Sequence, residues 1–473
     1  MNLNSLTIKE AKKGLKEKKF SSEELTKACL EQISKHNKSI NAYLTILEKE
    51  SIKEAKNADK LLKDNQELPL LGIPIAHKDL FLTKGIRTTA SSKVLENYIP
   101  QFDATVVKKL KDAGAVTLGK LNCDAWAHGS SGENSDFGPV KNPWSKSYVP
   151  GGSSSGSAAS VASDMCLAST GTDTGGSIRL PASFCNVVGL KPTYGRVSRY
   201  GIIAMASSFD SIGHFTKTVE DNATILNLTA GKDDLDSTTP DKRVDNYLED
   251  LDKSIKGIRI GIPKEYFSKG LDKNIKEKIE NALKLYEKLG ANIVDVSLPH
   301  AQYAISCYYI IQPAEVSSNL ARYDGIRYGN KRSSFGDEAK RRIMLGTFTL
   351  SAGYYDAYYK KAMQIRTLIK KDFEEAFKKV DVMISPTSPT MPWKLGEKTN
   401  DPLEMYLSDI YTVTANLAGI PGLTIPCGFD KGLPIGMQIL GPQFSEKLLY
   451  QVGYAFETKN SFVKEEPNLW NIN

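Results

Sequence analysis

The first 65 residues carry apolar side chains at the spacing of amphipathic helices. Thr7-x-x-Glu10 and Ser21-x-x-Glu24 each match a capping box, in which a hydroxyl and a glutamate three residues later satisfy free amides of a helix's first turn. Apolar residues follow both boxes at intervals of three and four. Residues 1–65 are therefore predicted to form an N-terminal helical hairpin that packs on the rest of the protein.

From about Leu70 the pattern changes to short apolar runs separated by amphipathic stretches. The runs over 72–81 and 115–119 predict strands, and the stretch over 104–113 predicts a helix between them. This alternation favours an α/β protein with a large mixed β-sheet that helices cover on both faces.

The second half of the chain returns to the same alternation after a helical interruption. A helix is predicted over 273–289, a strand over 292–296, and mostly helix over the Tyr-rich stretch 305–370. Strands are then predicted at 382–385, 423–427 and 437–440. Neither a repeat nor a linker is visible. We expect a single domain over 1–473, made of N-terminal helices (1–65), a core (66–220), a helical insertion (300–370) and a return to the sheet (380–460).

Composition narrows the class of protein but not its activity. The net charge of +7 comes mostly from lysines on amphipathic helices, which indicates a solvated basic face, with weak binding of an anionic partner such as RNA as the alternative. The six cysteines are isolated, so neither a metal site nor a disulfide framework is expected. No apolar run nears the roughly 18 residues of a membrane span, and no signal peptide follows Met1, so we expect a cytoplasmic protein without membrane contact.

Residues 123–201 are rich in Gly, Ser, Thr and Pro, and we expect loops that build an active site there. Ser177 ends a Thr-Gly-Gly run whose amides have little side-chain cover, as a nucleophile beside an oxyanion hole requires. A serine needs a base, and none of the five histidines stands in a convincing position. Lys78 lies in an apolar run, where desolvation lowers the pKa of a lysine. A neutral Lys78 is predicted to take a proton through a bridging hydroxyl from Ser153.

Each of these segments has a simpler interpretation when it is taken alone. Residues 150–157 could form a flexible turn, and residues 174–177 could begin a helix that binds phosphate. Lys78 could be a surface lysine paired with Asp79. The three segments together favour catalysis.

Together the segments resemble the amidase-signature family, which combines a Gly-Ser-Ser-rich stretch with Gly-Thr-Asp-x-Gly-Gly-Ser-Ile-Arg and an upstream lysine in a hydrophobic strand. Ser153 and Ser177 stand 24 residues apart, as the family pattern requires. The resemblance implies the amidase-signature fold, with Ser177 as the nucleophile, Ser153 as the bridge after a cis peptide bond, and Lys78 as the base.

The same resemblance implies roles for the neighbouring residues. Asp173 and Arg179 are expected to tie the loop together rather than to touch substrate. The expected oxyanion donors are the backbone amides of Thr174, Gly175, Gly176 and Ser177, and the opposite wall of the site is expected to contain Ala127, Gly129 and Ser130.

Further segments resemble one subfamily, the A subunits of aspartyl/glutamyl-tRNA amidotransferases. They include NCDAWAHGSSGENS (122–135), GLKPTYGRVSRYG (189–201), RRIMLG (341–346), LSAGYYDAYY (350–359) and NLAGIPG (416–422). This resemblance implies glutamine hydrolysis through an acyl-enzyme, with ammonia passed on to convert Glu-tRNA(Gln) or Asp-tRNA(Asn). It also implies a heterotrimer with B and C subunits. ATP, magnesium and the misacylated tRNA are then expected mainly on the partner, with no cofactor or metal in this chain.

Free glutamine carries an α-carboxylate and an α-ammonium, so its pocket needs one arginine and one acid. The family's pair falls on Arg342 and Asp409, with Tyr308 or Tyr309 nearby, and the adjacent Arg341 leaves the arginine uncertain by one position. The alternatives are a structural ion pair for Arg342 and a helix-surface acid for Asp409.

Three positions depart from the family pattern: Ser155, Leu180 and His214. Two other functions stay open at this point. One is a free-standing amidase that acts on another small carboxamide, and the other is a catalytically silent scaffold.

Overall fold

A computed structural model describes residues 2–267, 270–326 and 329–469. Its eleven strands are β1 (Tyr43–Ile46), β2 (Pro74–Lys78), β3 (Val116–Leu121), β4 (Ala168–Asp173), β5 (Val188–Lys191), β6 (Ser211–Thr216), β7 (Arg259–Pro263), β8 (Asn292–Val296), β9 (Val382–Pro386), β10 (Gly422–Asp430) and β11 (Leu433–Leu440). They form one sheet in the order β1-β3-β2-β4-β6-β5-β10-β11-β9-β7-β8. Strand β2 is parallel to β3 and β4, and β7 is parallel to β8 and β9, whereas the other pairs are antiparallel. The predicted mixed sheet is confirmed.

Fourteen α-helices accompany the sheet in the described residues. They are α1 (Ile8–Lys16), α2 (Ser22–Ile40), α3 (Glu48–Lys63), α4 (Thr105–Asp112), α5 (Ser155–Ala162), α6 (Arg179–Cys185), α7 (Val219–Thr229), α8 (Lys273–Lys288), α9 (Ala304–Leu320), α10 (Asp337–Thr349), α11 (Lys361–Phe377), α12 (Pro402–Leu407), α13 (Val413–Ala418) and α14 (Glu446–Glu457).

Strand β9 shows that helices cover both faces of the sheet. Successive side chains of a strand point to opposite faces. Val382 and Ile384 belong to a hydrophobic core that includes apolar side chains of α8 and α14. Met383, between them, belongs to a second core built with α9 and α11. The α/β architecture expected from the alternating pattern is therefore present.

The two predicted N-terminal helices are confirmed as α1 and α2, but residues 1–65 also contain β1 and α3. Both capping boxes form, and the amides of Glu10 and Glu24 each donate to the capping hydroxyl at 3.1 Å, to Thr7 and Ser21 respectively. Local sequence alone specifies these helix starts, because every group involved lies within four residues.

The expectation of an active site built from loops over 123–201 is wrong in part. This stretch contains α5, β4, α6 and β5. Its small polar residues obscured the pattern, because β4 is buried along its whole length and shows no apolar and polar alternation.

Strands β1, β6 and β7 were also missed, whereas β2, α4 and β3 lie within three residues of their predicted bounds.

The stretch predicted to be helical over 305–370 contains α9, α10 and most of α11, with a π-helical turn at Tyr355–Lys360. Residues 327 and 328 of this stretch, and Met1 and 470–473 of the predicted domain, lie outside the described residues. Strands β9, β10 and β11 include the predicted positions, but β10 ends three residues later and β11 begins four residues earlier than predicted. None of the described helices combines the length and the apolarity that crossing a bilayer requires.

Candidate active site

Lys78, the last residue of β2, is completely buried, with 0% of its surface exposed. Its ammonium nitrogen donates to three hydroxyl oxygens, namely Ser153 Oγ at 2.8 Å, Ser154 Oγ at 2.9 Å and Thr172 Oγ1 at 2.9 Å. Burial lowers the pKa of Lys78 to about 8, although nearby acidic groups, including Asp124 and Asp173, act in the opposite direction. The interpretation of Lys78 as a surface lysine paired with Asp79 is wrong, because the ion pair of Asp79 is with Lys120, at 3.4 Å.

The three hydroxyls around the amine are not equivalent. Ser154 Oγ donates its own proton to the carbonyl oxygen of Thr172 at 3.1 Å, so towards Lys78 it can only accept. For the Ser153 hydroxyl, no acceptor is recorded among the described residues. Ser153 is therefore the serine whose proton is available to a neutral lysine. Sequence reasoning missed Ser154 and Thr172, although the Ser-Ser-Ser run and the two-residue period that places Thr170 and Thr172 on one face of β4 could have revealed them.

Ser177 lies between β4 and α6, beside the loop that carries Ser153. The amide of Ser154 donates to the carbonyl oxygen of Ser177 at 3.2 Å, which joins the two loops directly. The Gly152–Ser153 peptide bond is cis, as predicted. Ser177 is 8% exposed, whereas Ser153 and Lys78 are both 0% exposed. Of the three predicted catalytic residues, only Ser177 therefore has exposed surface, as a predicted nucleophile requires.

The two glycines before Ser177 occupy places that a side chain would obstruct. A Cβ at Gly175 would lie 2.8 Å from the Tyr308 hydroxyl, and one at Gly176 would lie 2.4 Å from Thr412 Oγ1. Gly176 also has a φ of 141°, which disfavours other residues. The Gly176 amide donates to Asp173 Oδ1 at 2.9 Å, which weakens its assignment as an oxyanion donor. The amides of Thr174, Gly175 and Ser177 have no recorded partner within the part of the chain that the structure describes.

Asp173 and Arg179 stabilise the turn over residues 174–177 through hydrogen bonds, as expected. Arg179 is fully buried, and it donates to the carboxylate of Asp173 from Nε at 3.0 Å and from Nη2 at 3.1 Å. Burial by itself raises the pKa of Asp173, but the charge and hydrogen bonds of Arg179 outweigh it and lower that pKa to about 2. Gln438 and Asn416 accept the remaining Arg179 bonds at 2.9 and 2.7 Å. The pair therefore connects the turn that carries Ser177 to strand β11 and helix α13.

Asp409 lies in a second buried group of polar residues, contributed by the loop after α12. Its carboxylate accepts from Ser130 Oγ at 2.8 Å and from the Tyr309 hydroxyl at 3.0 Å. Burial raises the pKa of Asp409 to about 7, against the effect of these two hydrogen bonds. The alternative of a helix-surface acid is wrong, because only 6% of Asp409 is exposed.

Arg342 of α10 is buried and lies against Tyr309 and Tyr406, with its guanidinium carbon 4.8 Å from each ring centre. Its Nε donates to Glu338 Oε1 and its Nη1 to Gln312 Oε1, both at 2.7 Å. The structural ion pair considered from sequence thus exists. It does not exclude substrate binding, because Tyr309 contacts both Arg342 and Asp409 and so brings the proposed pair together. Arg341 instead points to the surface and pairs with Glu338 there.

Two further predicted substrate contacts occupy the space between these groups. Tyr308 is buried against Gly175, and its ring meets that of Tyr309 edge-on at 5.0 Å. Gly129 has a φ of 146°, and a Cβ there would lie 2.6 Å from the carboxyl carbon of Asp124. The structure thus places Tyr308 next to the expected oxyanion donors and Gly129 next to a buried acid.

The three departures from the family pattern leave this arrangement intact. Ser155 begins α5 and its side chain faces Gly132, where a Cβ would approach it within 2.6 Å. Leu180 packs in a small apolar core with Phe184 and Trp393. His214 is buried on β6 and its Nε2 lies 2.8 Å from Thr229 Oγ1. None of the three contacts the amine of Lys78.

Comparison with known proteins identifies the family of this chain. A family model described as Amidase matches residues 24–450. The chain is 54% identical to the A subunit of glutamyl-tRNA(Gln) amidotransferase from Caldanaerobacter subterraneus, over 98% of both chains. The crystal structure of the protein of that name from Thermotoga maritima is 42% identical and has a TM-score of 0.86, covering 100% of this chain and 99% of that one. A peptide amidase from Stenotrophomonas maltophilia is 30% identical with a TM-score of 0.85, covering 98% and 99%.

Proposed function

This chain belongs to the amidase family, and from that premise we propose that it is the glutamine-hydrolysing A subunit of a tRNA-dependent amidotransferase. The observation that carries the proposal is the buried amine of Lys78, within 2.8 Å of the Ser153 hydroxyl beside the loop of Ser177. The relatives that match over nearly the full length are named as A subunits of glutamyl-tRNA(Gln) amidotransferase, which supports the amidotransferase role.

The first chemical step is acylation of Ser177. Ser177 Oγ attacks the side-chain amide carbon of glutamine while its proton passes to Ser153 Oγ, and the Ser153 proton passes to neutral Lys78. A C–O bond forms and the carbonyl oxygen becomes an oxyanion. The C–N bond then breaks as the proton returns from Lys78 through Ser153 to the leaving nitrogen, which departs as ammonia. Water releases glutamate from Ser177 by the same relay in reverse.

The oxyanion is stabilised by backbone amides of the turn before and at Ser177. Because Gly176 already donates to Asp173, the available donors are the amides of Thr174, Gly175 and Ser177. The bonds from Asp173 and Arg179 keep this turn in place before substrate arrives. A preorganised turn needs little rearrangement as negative charge develops.

Asp409 and Arg342 recognise the two charged groups of free glutamine. The α-ammonium pairs with Asp409, whose ionised form it favours, and the α-carboxylate pairs with the guanidinium of Arg342. Tyr309 lies between them, Tyr308 packs beside it, and Gly129 lets the chain of the opposite wall pass close to Asp124. Glu338 and Gln312 orient Arg342 by holding two of its nitrogens.

The ammonia is consumed outside this chain. We propose that B and C subunits complete a heterotrimer, and that the partner binds ATP, magnesium and a misacylated tRNA. The names of the relatives favour Glu-tRNA(Gln) as the amide acceptor, with Asp-tRNA(Asn) as a second acceptor to be tested.

A glutaminase assay of the chain, alone and with partner subunits and misacylated tRNA, tests this function. We expect weak ammonia release by the isolated chain and a large increase when the partners, ATP and tRNA are added. Robust turnover of other small carboxamides by the isolated chain, unaffected by partners, would instead favour a free-standing amidase. The fold shared with a peptide amidase makes that outcome a meaningful comparison.

A further inference from the structure

Asp124 is a fully buried carboxylate beside the loop that carries Ser153. It follows β3, and its own amide donates to the carbonyl oxygen of Ser153 at 3.1 Å. Its carboxylate accepts from the amide of Gly132 at 3.1 Å and from that of Asn134 at 2.9 Å. One residue thus connects the bridging serine to the turn over residues 129–134.

The carboxylate also lies directly against the peptide before Ser153. A Cβ on Gly152 would be 2.0 Å from Asp124 Oδ2, so only glycine permits this approach. The amide of Gly152 donates to the carbonyl oxygen of Ser130 at 2.9 Å, and Ser130 Oγ donates to Asp409 at 2.8 Å. Asp124 therefore lies where the loop of Ser153 meets the turn whose Ser130 binds Asp409.

We propose that Asp124 is a positioning residue that holds Ser153 against Lys78 and whose negative charge stabilises the ammonium that Lys78 forms on accepting the proton. The inference deepens the proposed function and rests on it, since it takes Lys78 to be the base. Asp124 contacts neither substrate nor the reacting atoms and acts through the two residues that it adjoins.

The other charged groups near Lys78 are less able to balance its ammonium. Arg179 already neutralises Asp173, and Lys120 pairs with Asp79 on the neighbouring strand. Burial lowers the pKa of His77 well below its usual value and raises that of the Cys123 thiol to about 12, so both are uncharged near neutral pH. Asp210 is held by the Thr174 hydroxyl at 2.7 Å and by the amides of Met205 and Ala206. Among Asp124, Asp173 and Asp210, Asp124 raises the pKa of Lys78 most.

The Asp124→Asn variant, assayed in the reconstituted amidotransferase, tests the inference. Removing the negative charge lowers the pKa of Lys78, so the ascending limb of kcat/KM against pH is expected to move to lower pH. We expect kcat to fall about 10- to 100-fold, as is typical when a group that orients a catalytic residue is removed. The KM for glutamine is expected to change less than kcat, because the hydrogen bonds of the Asp124 carboxylate go to the amides of Gly132 and Asn134 and not to Arg342 or Asp409.

Asp221 on α7 supplies a matched control. It is equally buried and accepts from the amides of Ile8 and Lys9 at 2.9 and 3.1 Å, at the start of α1. Asp221→Asn thus removes a buried carboxylate that holds backbone amides, but not one that acts on Lys78. We expect it to lower thermal stability and to leave the pH profile of the folded enzyme unchanged.

The wild-type profile provides a second measurement that does not depend on a variant folding. Burial raises the pKa of Asp124 to about 7, and activity requires both ionised Asp124 and neutral Lys78, so two protons must leave. Because bound glutamine already holds Asp409 in its ionised form, the measurement is kcat at saturating glutamine, and its ascending limb is expected to steepen to a two-proton slope below about pH 7. A one-proton slope throughout, or an Asp124→Asn enzyme with an unmoved limb, would overturn the inference while leaving the glutaminase intact. Absence of glutaminase in the wild-type complex would instead remove the proposed function.

Discussion

The proposed catalytic centre around Lys78 and the proposed substrate-binding pair, Arg342 and Asp409, are built in different ways. Lys78 lies on a central strand, and hydroxyls from the neighbouring strand and loop fix its amine. Arg342 and Asp409 come from the helical insertion and from the loop after α12, and side chains alone connect them to each other. The outer surface of α10 also differs from β2 in exposure: Met344 is 72% exposed and Phe348 is 52% exposed, whereas all of β2 is buried.

This difference separates the rate of the chemistry from the choice of substrate. Backbone hydrogen bonds of a sheet hold a strand residue to within a fraction of an ångström, which proton transfer requires. Side chains on the helices of the insertion can be substituted with less effect on the position of Lys78. Changes near Lys78 are therefore expected to alter kcat, and changes near Arg342 are expected to alter KM.

The largest effect is expected from Ser177→Ala. Removing the attacking oxygen should reduce ammonia release from glutamine by about 10⁴-fold or more. Only one atom of a nearly buried side chain is lost, so the thermal unfolding temperature should be close to that of the wild type. Retention of full activity would show that another residue attacks the amide.

Lys78→Ala should follow, with a loss of about 10²- to 10⁴-fold in kcat, the usual contribution of a general base. In the wild type, kcat/KM should rise with pH through an apparent pKa of about 8, because only the neutral amine can accept the proton. Activity is thus lost as the pH falls and the ammonium forms. If the variant kept the same ascending limb, the titrating group would not be Lys78.

Arg179→Met measures how much the buried pair of Arg179 and Asp173 contributes to the free energy of unfolding. It leaves the carboxylate of Asp173 buried without its partner, which should lower the free energy of unfolding by about 3–5 kcal/mol in chemical denaturation. Lys16→Met breaks an exposed pair with Glu67 of 2.7 Å and should cause no measurable change. Equal effects of the two variants would contradict the role of the buried pair.

The smallest of these effects is expected from a change in the proposed substrate-binding residue Arg342. Arg342→Gln should raise the KM for glutamine about 10- to 100-fold through the loss of a charge-assisted hydrogen bond, with little change in kcat. Its exposed neighbour supplies the control, because Arg341→Gln should leave both constants unchanged. A larger effect of Arg341→Gln than of Arg342→Gln would reverse the assignment of the two arginines.

Much of this arrangement could be predicted from the sequence because its signals are local. The capping boxes of α1 and α2 involve residues three apart, and the spacing of Ser153 and Ser177 identified the catalytic loops. Strand β4 was missed, because all of its residues are buried and most are small and polar, so that it shows no alternation of apolar and polar side chains. Ser154 and Thr172 were missed as partners of Lys78 for the same reason, since neither residue type by itself indicates that its hydroxyl faces a lysine.

By itself, the sequence determined the helix starts, the alternation of strands and helices and the type of chemistry, since these depend on residues close together in the chain. Only the tertiary structure decided which serine can give a proton to Lys78, that Arg342 rather than Arg341 faces inward, and that Asp124 lies against Gly152. These outcomes depend on distances between segments tens to hundreds of residues apart. The packing of the sheet and its helices sets those distances, and no local pattern encodes them.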